Sequence, residues 1–225
     1  MAGESQTAIA AKAIASFVAA DSDPDTDPRS AFWTSASRII VEGDFYGRLI
    51  PNHRTEILLQ YTPANLYVLF VCPYEQLHLR PEPVLTDETY ELWNWDVAEV
   101  FIGDDFNNIR SYKEFEVSPQ GEWVDLDVNL DNPPHETGWV WKSSMEVAAR
   151  IDAPHRTWYG FMRIPWTSIS SRSLTEDSEF RINFYRCQGS DPDRKYITWQ
   201  PVHRASFHTP ECFGTLQLAS PTSSR

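Results

Sequence analysis

The sequence predicts an all-β protein built as a single sandwich, and three observations lead there. Short runs rich in Val, Ile, Phe, Tyr and Trp recur along the chain, separated by turn clusters such as 118–121 (SPQG) and 131–134 (DNPP). The 16 prolines outnumber the 9 glycines and aromatics make up 13% of the residues, a mix that suits short strands joined by proline-punctuated loops. Helical periodicity is scarce, and only 166–169, following Pro165, reads as a helical turn. A length of 225 residues fits one domain spanning 1–225. Compositional bias is confined to an acidic loop at 21–30 and a tail at 219–225.

Strands are expected at 55–60, 66–72, 97–102, 112–117, 123–128, 147–151, 157–164, 180–186, 196–199 and 214–218. The segment 66–72 (LYVLFVC) is apolar in both parities, as a central strand covered on both faces would be. The others alternate, with one face apolar and the other polar.

The formal charge is −13 and the Lys and Arg residues are scattered, which argues against nucleic acid or anionic membrane as a partner. No run approaches the ~18 apolar residues of a membrane span. Residues 8–20 look a little like a secretory leader, but Glu4 precedes the stretch and Lys12 interrupts it, so a mature N-terminus is the better reading. On that reading the chain is cytoplasmic as it stands, or secreted if a leader has been removed. Cys72, Cys187 and Cys212 cannot all pair and form no C-x-x-C; a Cys187–Cys212 bridge is the pairing left open.

The segment around Trp93 carries the strongest functional signal, because side chains two residues apart share a strand face. If Ala98, Val100 and Ile102 face the core, Trp93, Trp95 and Glu99 face outwards together. An indole beside a carboxylate suits a sugar: the ring stacks on the apolar face of a pyranose while the acid accepts hydrogen bonds from its hydroxyls. Trp93, Trp95 and Trp199 are the best candidates for exposed tryptophans, Trp139 is undecided, and Trp33, Trp123, Trp141, Trp158 and Trp166 read as core. Familiar catalytic motifs are missing, including G-x-S-x-G and a phosphate-binding glycine loop, and the pair His135-Glu136 lacks the second histidine of a metalloprotease helix. Glu114 with Glu116, and Asp125 with Asp127, share strand faces; alternation alone explains them as solvated, although either pair offers acid/base chemistry. Asp21 and Asp23, alternating with Asp25 and Asp27, offer oxygen ligands to calcium without the glycine and terminal Glu of an EF-hand.

Several stretches, in order, resemble the family 9 carbohydrate-binding modules and their wider relatives of the DOMON-like superfamily. They are Phe32-Trp33, 65–72 (NLYVLFVC), 92–102 (LWNWDVAEVFI), 112–121 (YKEFEVSPQG), 164–166 (IPW), 181–186 (RINFYR) and 208–218 (HTPECFGTLQL). The resemblance implies an antiparallel, jelly-roll-like sandwich that grips a glycan, often by its reducing end, between two tryptophans, with calcium as a structural support. Carried onto this chain, it makes Trp93 the first jaw, Glu99 the sugar-binding acid and Trp199 the second jaw, with Asn183 and Arg186 as further polar contacts. The chain departs from the pattern in carrying Trp95 and a long proline-rich loop at 73–90. Non-catalytic binding of an oligosaccharide or polysaccharide is the leading expectation. The alternatives are a carbohydrate-active enzyme using Glu99, Glu114 or Glu116 as acid or base, and a haem-binding domain with Met145 or Met162 and a histidine such as His203 or His208 as axial ligands.

Overall fold

The computed structural model describes residues 11–132, 139–175 and 178–220. The pair His135-Glu136 and the end of the tail lie outside them. Among the described residues twelve strands are hydrogen-bonded together, ten along the path β7-β6-β5-β10-β12-β1-β3-β4-β9-β8, with β11 on β10 and β2 on β3. All ten expected strands are present, and the helical turn at Trp166–Ile169 (α1) is too. β3 covers Thr55–Tyr61, β4 Asn65–Pro73, β5 Val97–Gly103, β6 Ser111–Val117 and β7 Trp123–Asn129. β8 covers Glu146–Asp152, β9 Thr157–Pro165, β10 Glu179–Gln188, β11 Lys195–Thr198 and β12 Gly214–Leu218.

Two strands were not legible in the sequence, β1 (Lys12–Phe17) and β2 (Ser37–Val41). β1 is where the path folds back on itself, since it pairs in parallel with β12 through 12–15 and with β3 through 16–17. Its inward residues, Ala13 and Ala15, are fully buried. Alanine has low strand propensity, so the small side chains that let two sheets converge on one strand hide the strand from a propensity reading. The other pairings that build the sheets, from β2–β3 to β8–β9, are antiparallel.

The result is a sandwich, as expected. Between the sheets lies the main core, including Ile57, Val68 and Phe70 from one sheet and Val100, Phe115 and Phe184 from the other. Phe70 and Phe184 meet edge to face at 6.3 Å, and Gly160 on β9 lies so close to β6 that a Cβ there would come within 2.8 Å of Val117. Each sheet also carries apolar residues on its outer face. Over β3, β4 and β9, Trp33 packs on Leu58, Tyr67, Leu69 and Phe161. Over β5, β6, β7 and β10, Phe101, Tyr112, Val124, Leu126 and Tyr185 form a second cluster with loop residues Leu92, Val202 and Phe213. This second outer layer positions the site. Among the described residues no helix is long and apolar enough to cross a membrane.

Candidate functional site

A cleft of about 510 Å³ opens in the outer layer over β5, β6 and β10. Its rim carries Trp93, which belongs to the 3₁₀ turn Leu92–Asn94 immediately before β5. Two polar groups, the buried Asp96 and the half-buried Arg194, fix that turn. The Asp96 carboxylate accepts hydrogen bonds from the backbone N–H of His78 (3.0 Å) and Gly189 (2.5 Å) and from the Gln188 amide (2.6 Å). The Arg194 guanidinium donates to the carbonyls of Trp93 (2.7 Å), Trp95 (2.8 Å) and Gly189 (2.6 Å). Glu91, which opens the turn, adopts a left-handed conformation with φ 61°, a strained choice for a residue with a side chain. Trp93 is half-buried and meets Tyr90 edge to face at 5.4 Å. Trp95 turns instead onto His78, stacking at 4.6 Å, and does not line the cleft.

Strand parity places Glu99 beneath Trp93 on the face opposite Ala98, Val100 and Ile102, which fill the main core. That face is not open to solvent as the alternation implies: Glu99 is 1% exposed. Glu114 and Glu116, read from the sequence as solvated, are likewise buried. The physical reason is the second apolar layer, which covers the face that a simple sandwich would leave wet. In register, Glu99 lies opposite Glu116 and Phe101 opposite Glu114. One carboxylate oxygen of each of Glu99, Glu114 and Glu116 lies within 4.8 Å of the others. Both oxygens of Glu116 and Oε2 of Glu114 have no hydrogen-bond partner outside the trio, while Glu99 accepts a weak bond from the Cys187 thiol at 3.4 Å. Burial first, then the neighbouring carboxylates, hold Glu99 and Glu116 well above the ordinary carboxylate range; burial also raises Glu114, with His208 and a bond to Glu116 opposing it.

Aromatic rings from three separate loops and from β11 complete the walls. Phe45 stacks on Tyr196 at 5.1 Å, and both line the cleft with Phe207 and Trp139. His208 sits 2.7 Å from the Tyr112 hydroxyl through Nδ1 and lies tilted on Phe101. Phe45, Trp139 and Phe207 carry no local sequence signal for the cleft, because each reaches it through the folding of a distant loop. Tyr196 was recoverable in principle: it lies opposite Cys187 in the β10–β11 register, on the cleft face.

The same register removes Trp199 from the cleft. Ile197 points into the main core, and Trp199, two residues on, follows it. Its ring packs edge to face on Phe184 at 5.7 Å, and a Cβ at Gly214 would lie 2.6 Å from it. Asn183 and Arg186 are also elsewhere. The Asn183 amide is fully buried and occupied by the Tyr185 hydroxyl and by the backbone of Phe184 and Gln200. Arg186 points the other way, donating to Thr55 and Gln188 beside Trp158. Of the sequence-derived sugar contacts, Trp93 and Glu99 meet in the cleft and Trp95, Asn183, Arg186 and Trp199 do not.

The other candidates separate similarly. Asp21 Oδ1 accepts hydrogen bonds from Thr62 (2.6 Å), Tyr67 (2.7 Å) and Asn65 (2.9 Å), which ties the acidic loop to the outer face of β4 and lowers the Asp21 pKa. Asp25 and Asp27 accept bonds within the loop. Asp21 and Asp23 gather no third His, Cys, Asp or Glu at metal-ligand spacing among the described residues. Met145 and Met162 are buried in the main core, whereas His208 lines the cleft on the opposite face of the sheet, which separates that methionine–histidine pairing. All three cysteines are free.

A family model of carbohydrate-binding family 9 matches residues 136–218. Over that segment, 83 of its 225 residues, the chain is similar to this family. A family 9 carbohydrate-binding module of Caldicellulosiruptor kristjanssonii, solved in complex with cellotriose, superposes with a TM-score of 0.66 at 14% identity, covering 95% of this chain and 96% of that one. The same organism's module in complex with glucose gives 0.66 at 13% identity, covering 96% and 99%. At such identity the likeness shows a shared fold. Among curated proteins, a UPF0462 protein (C4orf33 homolog) of Rattus norvegicus is 26% identical over 139 residues, 56% of this chain and 63% of its own length. A protein of Arthroderma benhamiae named as an extracellular protein is 24% identical over 176 residues, covering 72% and 78%. The chain thus matches somewhat under two thirds of the rat relative.

Proposed function

We propose that this protein binds an oligosaccharide or the end of a polysaccharide in the cleft, without cleaving it. The observation that carries the reading is the juxtaposition of a half-buried Trp93 on the rim with carboxylates on the floor, inside an aromatic-walled cleft of about 510 Å³. Such volumes suit small ligands. The ring of Trp93 offers an apolar platform to a pyranose, and Glu99 and Glu114 accept bonds from its hydroxyls. The jaw opposite Trp93 is drawn from Trp139, Tyr196 and Phe45, and a reducing-end sugar enters floor-first. Family 9 likeness supports the class of ligand, since two solved neighbours hold cellotriose and glucose.

Titration with cello-, xylo- and other oligosaccharides while following tryptophan fluorescence tests the proposal. Saturable binding that is lost in Trp93→Ala is expected. No response to any glycan, or binding that survives Trp93→Ala unchanged, sinks it. A catalytic reading draws on the raised pKa values of the same carboxylates. Their arrangement weighs against it: the acids cluster together on one floor, whereas glycosidase carboxylates flank the scissile bond from two sides. Product release from a glycan panel that disappears in Glu99→Gln would reverse that judgement.

A further inference from the structure

We propose that Glu99, Glu114 and Glu116 form a binding site for one hard divalent cation, of the calcium or manganese class, at the floor of the cleft. The site does not depend on what binds above it. Three oxygens mutually within 4.8 Å can share one cation, because ligand distances of about 2.3–2.6 Å allow oxygens to lie up to roughly 4.6–5.2 Å apart. Magnesium, at about 2.0–2.1 Å, demands a tighter cage.

The second observation is the state of Glu116. It is fully buried, it points into the cluster, and neither of its oxygens receives a hydrogen bond from outside the trio, its one bond being shared with Glu114, whose Oε2 likewise has no outside partner. Native proteins pair buried polar atoms almost without exception, so an acid bonded only to a second acid is a natural place for a cation to bridge the two. Among the described residues no lysine, arginine or histidine forms an ion pair with any of the trio. Arg194 borders the same cleft, but its guanidinium is committed to the carbonyls of Trp93, Trp95 and Gly189. No imidazole or thiol joins the trio at ligand spacing, leaving an all-oxygen donor set that favours hard cations. Access is also provided. Glu99 and Glu114 border the cleft while Glu116 lies behind them, so a cation entering from the cleft keeps its outward positions for water or for a ligand hydroxyl.

Calorimetric titration of the chelator-treated full chain with Ca²⁺, Mn²⁺ and Mg²⁺, and luminescence of Tb³⁺ sensitised by nearby tryptophan, test the site. One Ca²⁺ or Mn²⁺ per chain is expected, with Mg²⁺ weaker. Glu116→Gln and Glu114→Gln should each weaken binding by at least about tenfold, while the double variant Asp21→Asn/Asp23→Asn retains it. Both glutamine substitutions are isosteric and remove buried charge, and thermal melts in chelator establish that each variant folds. Should one fail to fold, the other carries the test, together with the Ca²⁺-induced rise in wild-type melting temperature. Absence of cation binding, binding unchanged in both glutamine variants, or binding lost with the Asp21/Asp23 pair would overturn the proposal. These outcomes are separable from glycan binding, which is read by sugar titration.

Discussion

Asp125→Asn should make the protein's stability less sensitive to pH. Asp125 is 1% exposed on β7, facing away from the cleft, and its carboxylate accepts bonds from the backbone N–H and hydroxyl of Ser143 while Oδ1 has no partner. Burial pushes its pKa from 3.8 to about 6, with the Ser143 bonds opposing. The folded chain therefore holds this proton more tightly than the unfolded chain. Below about pH 4 both states are protonated and the group costs nothing; above about pH 6 both are ionised and the folded state bears the full penalty. A shift of about 2 units corresponds to a loss of roughly 3 kcal/mol between those limits. The amide variant never ionises. It places an unpaired N–H₂ where Oδ1 sits, at a cost of about 1–3 kcal/mol, but that cost does not vary with pH. Urea unfolding of both proteins across pH 4 to 8 isolates the difference: the variant's stability relative to wild type should rise by about 2–3 kcal/mol over this range. A relative stability flat to within about 0.5 kcal/mol would refute the reasoning, since it would mean that Asp125 ionises as freely in the fold as outside it.

Trp199→Ala should lower stability by about 2–4 kcal/mol through the cavity left beside Phe184, yet leave glycan affinity within about twofold, opposite to Trp93→Ala; fluorescence titration and thermal melts separate the two. Arg194→Met keeps the stem but removes the donors to Trp93, Trp95 and Gly189, so glycan affinity should fall by about tenfold or more, with calorimetry as the readout. Gly160→Ala drives a methyl against Trp158 and Val117 across the sandwich, and denaturation should report a loss of about 1–3 kcal/mol. Glu91→Gly relieves the left-handed backbone that precedes Trp93; affinity should fall if strain holds the turn in place, and unchanged affinity would show that Asp96 and Arg194 suffice.

The ten strands legible in the sequence are those with alternating or continuous apolar runs, in which packing and propensity point the same way. β1 escaped because its role selects against propensity: the strand joining both sheets must be narrow, and Ala13 and Ala15 provide that narrowness. The outer layers escaped for a different reason. Period-two alternation reports that two faces differ, but not whether the polar one is wet. On β6, Tyr112, Glu114 and Glu116 alternate against Phe115 and Val117 as a solvated face would, and only the loops bringing Phe45, Phe207 and Phe213 over them reveal that the face is covered.

The outcome for Trp93 and Trp199 shows how far parity reaches. Trp93 was found with Glu99 because both are tied to β5, whose inner face is set by Ala98, Val100 and Ile102. Trp199 joins them only through the resemblance to a two-jawed clamp, and its own strand opposes it: Ile197 and Trp199 share the inward face, and Tyr196 takes the outward one. Applying the β5 argument to β11 selects Tyr196 without reference to any relative. The carboxylates follow the same logic one step further. Once Glu99 is known to face a covered layer, its register partner Glu116 must be covered with it. Two adjacent buried acids cannot both carry charge without a counterion or a shared proton. The oxygens of Glu116, bonded to nothing outside the trio, are where that counterion or proton sits, and cation titration of Glu116→Gln distinguishes the two.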